Sequence, residues 1–343
     1  MKRCVRCILP ETFPEIHFDS EGVCHYCQEA EGQILFSAGE HIQEKLENII
    51  QVSKALEGSS YDALVAYSGG KDSTYLIKLL QERYQLSILA VTFDNGFMSE
   101  TSFQNMRTVL NTLNVDHLIV KPGQGSLNQM FAESCVPHIY PDHLTKFGSG
   151  ICISCIRMVS TMALRVAIEK HIPMVMLGNS PGQLIQSESE LIYQDNKIPF
   201  GLRKNLFKPL VEQIGNDSLY DLLMLTPAEY KTKPFPYVIN IFPIIGYDEN
   251  VIYQEIRALG WRKPTDVDPN STNCKLNSLG IKKHCETYHF HPYDFEMSML
   301  VRQGIISREE ALQRVQDPDR KSDELAAEVE EALADLLQKS VQR

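Results

Sequence analysis

The stretch Ser68-Gly69-Gly70-Lys71-Asp72-Ser73 decides the reading of this chain, because it follows the apolar run Ala63-Leu64-Val65-Ala66-Tyr67 and precedes Thr74-Tyr75-Leu76-Ile77-Lys78-Leu79-Leu80. A buried strand, a glycine pair and a helix in that order bring the backbone close to a phosphate, with N–H groups and the positive helix end turned towards it. An ordinary strand-to-helix turn needs no lysine, aspartate and two serines beside its glycines. The stretch also differs from the phosphate loop GxxxxGK followed by Ser or Thr, which has no counterpart of Asp72. Short apolar strand candidates recur outward from it, at 63–67, 86–93, 117–120, 173–177 and 237–242, with helical patterns between them. That alternation predicts an α/β fold, a parallel sheet with helices on both faces. Ligands of such sheets sit beyond the carboxyl ends of the strands, where Ser68, Asp94 and Gly178 fall.

With 343 residues, 43% of them hydrophobic and 22% charged, the chain suits one large α/β domain with small appendages. The amino terminus has no apolar signal core, and no uninterrupted apolar run reaches the roughly 20 residues of a membrane span. The expectation is a cytoplasmic protein with no membrane partner. A net charge of −11 argues against broad adhesion to nucleic acid. Arg203-Lys204, Lys208, Lys231-Thr232-Lys233 and Lys282-Lys283 read first as solvated surface charge and second as a local patch for tRNA. The chain divides into a cysteine-rich segment, 1–33, a linker helix, 34–60, the nucleotide domain, 61–260, and a carboxyl-terminal region, 261–343. Residues 181–235 read as a lid insertion. The charged amphipathic patterns after Ser307 suit a packing element or a homodimer contact.

Most of the nine cysteines come in CxxC pairs, which in a reducing compartment points to metal rather than disulfides. Cys4 and Cys7 pair with Cys24 and Cys27 as two knuckles, and four soft thiolates at this spacing fit a tetrahedral structural zinc. A closed shell of that kind leaves no position for catalysis. Cys152 and Cys155 lie just before the helix-like run 157–170, and Cys274 lies far along the chain. Two neighbouring cysteines and one remote one supply three corners of a [4Fe-4S] cluster with one iron open. A second zinc site and a redox dithiol are the other readings. Cys135 and Cys285 are left as buried thiols unless one completes a zinc shell, and His284, His289 and His291 as a packed loop.

The SGGKDS stretch resembles the PP-loop ATP pyrophosphatases, a Rossmann-like superfamily. That resemblance implies ATP cleavage between the α and β phosphates, an adenylated substrate oxygen and release of pyrophosphate. It also implies that the Gly69 and Gly70 amides, the Ser68 and Ser73 hydroxyls and Lys71 hold phosphate, while Asp72 ligates Mg²⁺ or positions a group. Phe93 and Asp94, at the end of the second strand candidate, would hold adenine and ribose; Asp94 before Asn95-Gly96 reads equally as a turn residue. Gly178 and Asn179 stand where the superfamily contacts ATP again. The cysteine arrangement is similar to that of the PP-loop tRNA thiolases, which place CxxC before the same helix and a third cysteine downstream.

A second resemblance joins both ends of the chain. Cys4-Val5-Arg6-Cys7-Ile8-Leu9-Pro10, Ile16-His17-Phe18-Asp19 and Glu21-Gly22-Val23-Cys24-His25-Tyr26-Cys27 look like the opening of the N-acetyl sugar amidotransferases. Asn273-Cys274-Lys275 and Gly304-Ile305-Ile306-Ser307-Arg308-Glu309-Glu310-Ala311 are similar to that family's end. The middle departs from it, with Gly178-Asn179-Ser180-Pro181-Gly182-Gln183 in place of a Gly-Glu-Asn type segment. The leading expectation is ATP-dependent adenylation followed by sulfur transfer, with Lys71, Asp72, Cys152, Cys155 and Cys274 as the acting residues. Its acceptor is a small molecule or tRNA, and sulfide or a persulfide carrier is the donor. The alternative uses ammonia from a glutaminase partner on an N-acetyl sugar. A nonenzymatic nucleotide sensor is the third reading.

Overall fold

The computed structural model describes residues 1–30, 39–56, 58–184, 188–316 and 321–341. The expected boundary at 33–34 lies outside them, as do parts of the expected linker, of the expected lid and of the carboxyl-terminal region. Six strands form one sheet: β1 Ala63–Ala66, β2 Ile88–Phe93, β3 Asp116–Val120, β4 Met174–Leu177, β5 Ile192–Tyr193 and β6 Tyr237–Asn240. Their spatial order is β3-β2-β1-β4-β6-β5, parallel throughout except for the antiparallel pair β5/β6. The helices of eight or more residues are α1 Glu40–Lys54, α2 Lys71–Tyr84, α3 Glu100–Leu113, α4 Gln124–Glu133, α5 Gly150–Glu169, α6 Phe200–Ile214, α7 Glu249–Ala258, α8 Leu276–Tyr288, α9 Asp294–Arg302, α10 Arg308–Val315 and α11 Lys321–Val341.

Alternation along the strands builds a core on each side of the sheet. Ala63, Val65, Met174, Met176 and Ile239 pack on one face with Leu76, Ile77 and Leu80 of α2 and Ile42, Leu46, Ile49 and Ile50 of α1. Leu64, Leu89, Val91, Val175 and Val238 pack on the other with Ala163, Leu164 and Ala167 of α5. The chain runs from β1 outward through β2 and β3, then crosses to the other side of β1 for β4. The order in which strands are added therefore reverses between β1 and β4, the place where open parallel sheets leave a crevice.

Three local expectations shift. Strand 237–242 stops at Asn240, because Pro243 lies in the first turn of the short helix Phe242–Ile245 and has no N–H for a ladder. Helix α5 begins at Gly150, so Cys152 and Cys155 lie inside its first two turns rather than before it; the Ser149 side chain accepts from the Cys152 N–H and starts the helix there. Segment 181–235 supplies β5 to the sheet edge and packs α6 through Phe207, Leu210 and Val211.

Length and composition alone would let α5 cross a bilayer. In the fold it lies against the sheet, with Arg157 paired to Asp195 and Arg165 to Glu229. The first thirty residues share an aromatic core with α9: Phe13 packs on Phe290 at 5.2 Å and stacks with Phe295 at 6.0 Å between ring centres. Arg3 pairs with Asp294, and the Arg308 guanidinium donates to the carbonyls of Cys4 and Cys7.

Candidate active site at the carboxyl edge of the sheet

Ser68, Gly69 and Gly70 leave β1 and deliver Lys71 as the first residue of α2. Gly69 has φ +71°, and its carbonyl accepts from the indole N–H of buried Trp261 at 2.9 Å. The Ser68 hydroxyl lies 3.3 Å from the Ser73 hydroxyl and accepts from the Gly70 N–H at 3.3 Å. Gly178, at the end of β4, lies against this turn so closely that a Cβ there would stand 3.0 Å from the Ser73 nitrogen. The strand ends on either side of the switch thus form one cradle of backbone.

Lys71 is held by several groups at once. Its ammonium lies 2.8 Å from both Asp72 carboxylate oxygens, 2.6 Å from the Tyr247 hydroxyl and 3.2 Å from Glu249. The Tyr247 hydroxyl donates in turn to Asp72 at 2.9 Å, and Glu249 is also held by Arg314 of α10. Burial works against the lysine charge, but Asp72, Tyr247 and Glu249 outweigh it and raise its pKa well above the ordinary value. Lys71 is thus cationic at neutral pH.

Asn179 donates to Asn240 at 2.8 Å, tying the ends of β4 and β6 together. Ser180 caps the following turn and donates to Glu296 of α9 at 2.8 Å. Burial pushes the Glu296 carboxyl up to about 7, against the pull of Ser180 and Lys71. At the end of β2, Phe93 is buried among Phe97, Leu127 and Ile151. The Asp94 carboxylate accepts from the Gly96 N–H at 2.8 Å, as a turn aspartate does, and also pairs with Lys121 at 3.1 Å.

The remote cysteine arrives by backbone pairing. Ser99 N–H donates to the Asn273 carbonyl and Lys275 N–H to that of Phe97, each at 2.9 Å, which sets Cys274 beside the β2 loop. Gly280 lets α8 come close to α5: a Cβ there would stand 2.5 Å from the Ser149 hydroxyl. The Asn95 amide donates to Cys274 at 3.3 Å and to Cys155 at 3.7 Å, while the Cys152 thiol reaches the Asn277 side-chain oxygen at 3.6 Å. The three thiols therefore gather on two asparagines and are partly exposed. Burial raises all three, Cys152 to about 11, so a metal centre there would have to displace thiol protons. The Asn277 amide nitrogen is buried without a partner, a donor available to an electron-rich sulfur.

Cys4, Cys7, Cys24 and Cys27 place their sulfurs within 4.8 Å of one another, the one such metal-binding group among the described residues. The Cys4–Cys27 and Cys7–Cys24 distances are 3.9 and 3.7 Å. A tetrahedron with zinc–sulfur legs of about 2.3 Å has edges of roughly 3.8 Å, so the quartet fits zinc. The sulfurs of Cys152, Cys155 and Cys274 do not all lie within 4.8 Å of one another. Cys135 and Cys285 are partly exposed rather than fully buried. His284 is buried with neither ring nitrogen partnered, and burial lowers its pKa to about 4. Tyr247, Glu249, Trp261, Tyr293 and Glu296 were not legible as site residues, since no local pattern marks a side chain that a remote helix brings in.

No family model matches the chain. An uncharacterized protein of Methanocaldococcus jannaschii is 24% identical over 279 residues, which are 81% of this chain and 80% of that protein. Among solved structures the chain is similar to the U34-tRNA thiolase NcsA from Methanococcus maripaludis with its [4Fe-4S] cluster, at 13% identity and a TM-score of 0.35, over 94% of this chain and 91% of that one. It is also similar to the NH3-dependent NAD synthetase from Campylobacter jejuni, at 14% identity and a TM-score of 0.30, over 52% of this chain and 76% of that one. Overlaps of this quality assign no residue.

Proposed function

We propose that this chain is an ATP-dependent activating enzyme of the PP-loop type, which adenylates a substrate oxygen and then replaces that oxygen with sulfur. The observation that carries the reading is the segment from Thr272 to Cys274. A Cβ on Gly70 would stand 2.7 Å from the Thr272 hydroxyl, and two residues later Cys274 shares Asn95 with Cys155. One loop thus joins an anion cradle to a group of thiols.

In this reading the Gly69 and Gly70 amides, Lys71 and the Ser68 and Ser73 hydroxyls hold the triphosphate, and Asp72 holds Mg²⁺. Lys71 gives up its carboxylate partners for phosphate oxygens and neutralises the departing pyrophosphate. Phe93, Asp94, Gly178 and Asn179 line the adenosine side. Cys152, Cys155 and Cys274 would hold a [4Fe-4S] cluster, which when bound supplies a sulfur nucleophile at the iron without a cysteine. Cys4, Cys7, Cys24 and Cys27 would hold zinc in a closed, structural shell. Nine unbridged cysteines suit a cytoplasmic setting. The acceptor is a small molecule or tRNA.

A second reading has ammonia, delivered by a glutaminase partner, act on an N-acetyl sugar. Its support is that the two ends carrying that resemblance meet, with Arg308 donating to the carbonyls of Cys4 and Cys7. Iron, zinc and acid-labile sulfide content after anaerobic purification separates the two. We expect about four irons with matching sulfide, besides zinc, and loss of the iron but not the zinc in Cys274→Ala. Zinc alone, even after reconstitution, would overturn sulfur transfer and leave the ammonia reading.

A further inference from the structure

The two asparagines at the thiol group are almost fully buried, Asn95 at 4% exposure and Asn277 at 6%. The Asn95 side-chain oxygen accepts from the Phe97 N–H at 2.9 Å. That bond fixes the amide and turns its nitrogen to the sulfurs of Cys274, at 3.3 Å, and Cys155, at 3.7 Å. The Asn277 side-chain oxygen accepts from the Tyr293 hydroxyl at 3.1 Å and from the Cys152 thiol at 3.6 Å, so both bonds fall on its oxygen. Its amide nitrogen is buried with no partner among the described residues. The backbone N–H groups of Leu276 and Asn277, at the start of α8, act on the Cys274 sulfur as well. Three neutral thiols would add three more hydrogens to this group, and a thiol sulfur is a weak acceptor. Donors therefore outnumber acceptors, and a buried donor left unpaired costs free energy. Thiolate and sulfide sulfurs accept without donating, and an occupant made of them removes the imbalance.

We propose that Asn95 and Asn277 are positioning residues for a metal–sulfide centre on Cys152, Cys155 and Cys274, and that the Asn277 amide donates to a sulfide sulfur which the centre itself brings. This rests on the cluster reading above and adds two donors to it. Asn95 offers one hydrogen to each of two cysteine sulfurs and so spans helix α5 and the loop that carries Cys274. Asn277 cannot do the same, because its oxygen is the end turned to Cys152 and Tyr293. The acceptor for its two hydrogens has to come from outside the three cysteines, and an inorganic sulfide is the acceptor of the right chemistry. Hydrogen bonds to the sulfurs of such a centre favour its reduced, more negative state and raise its reduction potential. The two amides approach from different elements, Asn95 from the turn after β2 and Asn277 from the first turn of α8. Together they would fix the orientation of the centre and set how readily it takes an electron.

The test uses the full chain, purified anaerobically, reconstituted with ferrous iron and sulfide and reduced with dithionite, its asparagines isotope-labelled at the side-chain nitrogen. Pulsed EPR of the reduced centre should show coupling to two labelled amides, one lost in Asn95→Leu and the other in Asn277→Leu. Each substitution should also lower the midpoint potential, by about 59 mV for a tenfold change in the one-electron equilibrium. Tyr293→Phe, which frees the Asn277 amide to turn over, should weaken the Asn277 coupling and leave that of Asn95. Should Asn277→Leu fail to fold or to hold iron, Asn277→Asp keeps the oxygen that Tyr293 bonds, replaces only the nitrogen and assigns the signal. Iron with matching sulfide, but no coupling to Asn277 and one potential shared by the native protein and both leucine variants, would overturn the proposal and leave the cluster standing. A native protein that takes up no iron even after reconstitution would overturn the cluster reading and the proposal together.

Discussion

Gly69 and Gly70 are adjacent, yet their contacts make different demands. At Gly70, whose φ is −75°, a methyl group would press on the Thr272 hydroxyl at 2.7 Å and the Ser68 hydroxyl at 3.2 Å, both side-chain atoms. At Gly69 it would meet the Ser102 carbonyl oxygen at 2.7 Å, on a backbone with φ +71°. Gly70→Ala should therefore fold with a loss of about 1–3 kcal/mol, and Thr272→Ala in the same chain should recover part of it. Gly69→Ala should lose more, with no such rescue, because backbone opposes it and the positive φ adds strain. Thermal melts of the three variants check the order. Glu296 allows a prediction of stability with pH. Its folded pKa of about 7 is raised above the ordinary glutamate value, so the native state holds the proton more tightly. The resulting stabilisation is present at low pH and lost as pH rises through about 7. Glu296→Gln should accordingly melt higher than the native protein at pH 8 and show little difference near pH 4. Equal differences at both pH values would show that the carboxyl is not so shifted. The cradle was legible because its residues are consecutive; Glu296 was not, because its partners lie more than a hundred positions away on another element.

Elements carry the metal quartet. Cys4–Cys27 packs Phe13 against Phe290 and Phe295, so whatever holds the knuckles also holds α9, and with it Glu296. Cys24→Ser should lose zinc and lower the melting midpoint by about 5–10 °C, the equivalent of a few kcal/mol. A midpoint within a degree of the native value would separate the quartet from the fold. The sequence signalled the knuckles and the strands β1, β2, β3 and β4 through spacing and apolar runs. It did not signal β5, because two residues, Ile192 and Tyr193, have no period to detect. It put the start of α5 too late, because the apolar run in 157–170 is stronger than the single serine cap at Ser149.

At the scale of the whole molecule the site is assembled from the full span of the chain, from Ser68 through Asn95, Cys152 and Ser180 to Trp261, Cys274 and Glu296. Composition and charge narrowed the class of protein but could not place residues that distant beside one another. The sheet does so through its reversal between β1 and β4, and the segment after β6 completes the cleft by folding back over the carboxyl edge. Residues 99–102 and 272–274 are bonded to each other, so the start of α3 and the third cysteine share one wall.

The shared aromatic core of Phe13, Phe290 and Phe295 also bears on how the chain is made. Phe13 leaves the ribosome roughly 280 residues before Phe295, an interval of about 15–60 s at ordinary elongation rates. Over that interval the knuckles are exposed without their apolar cover, and four thiols wait beside it. Metal captured early would shield those thiols from oxidation and wrong pairing until α9 and Arg308 arrive to close over them. In a cell short of zinc, the hazard would fall on nascent chains rather than on finished protein.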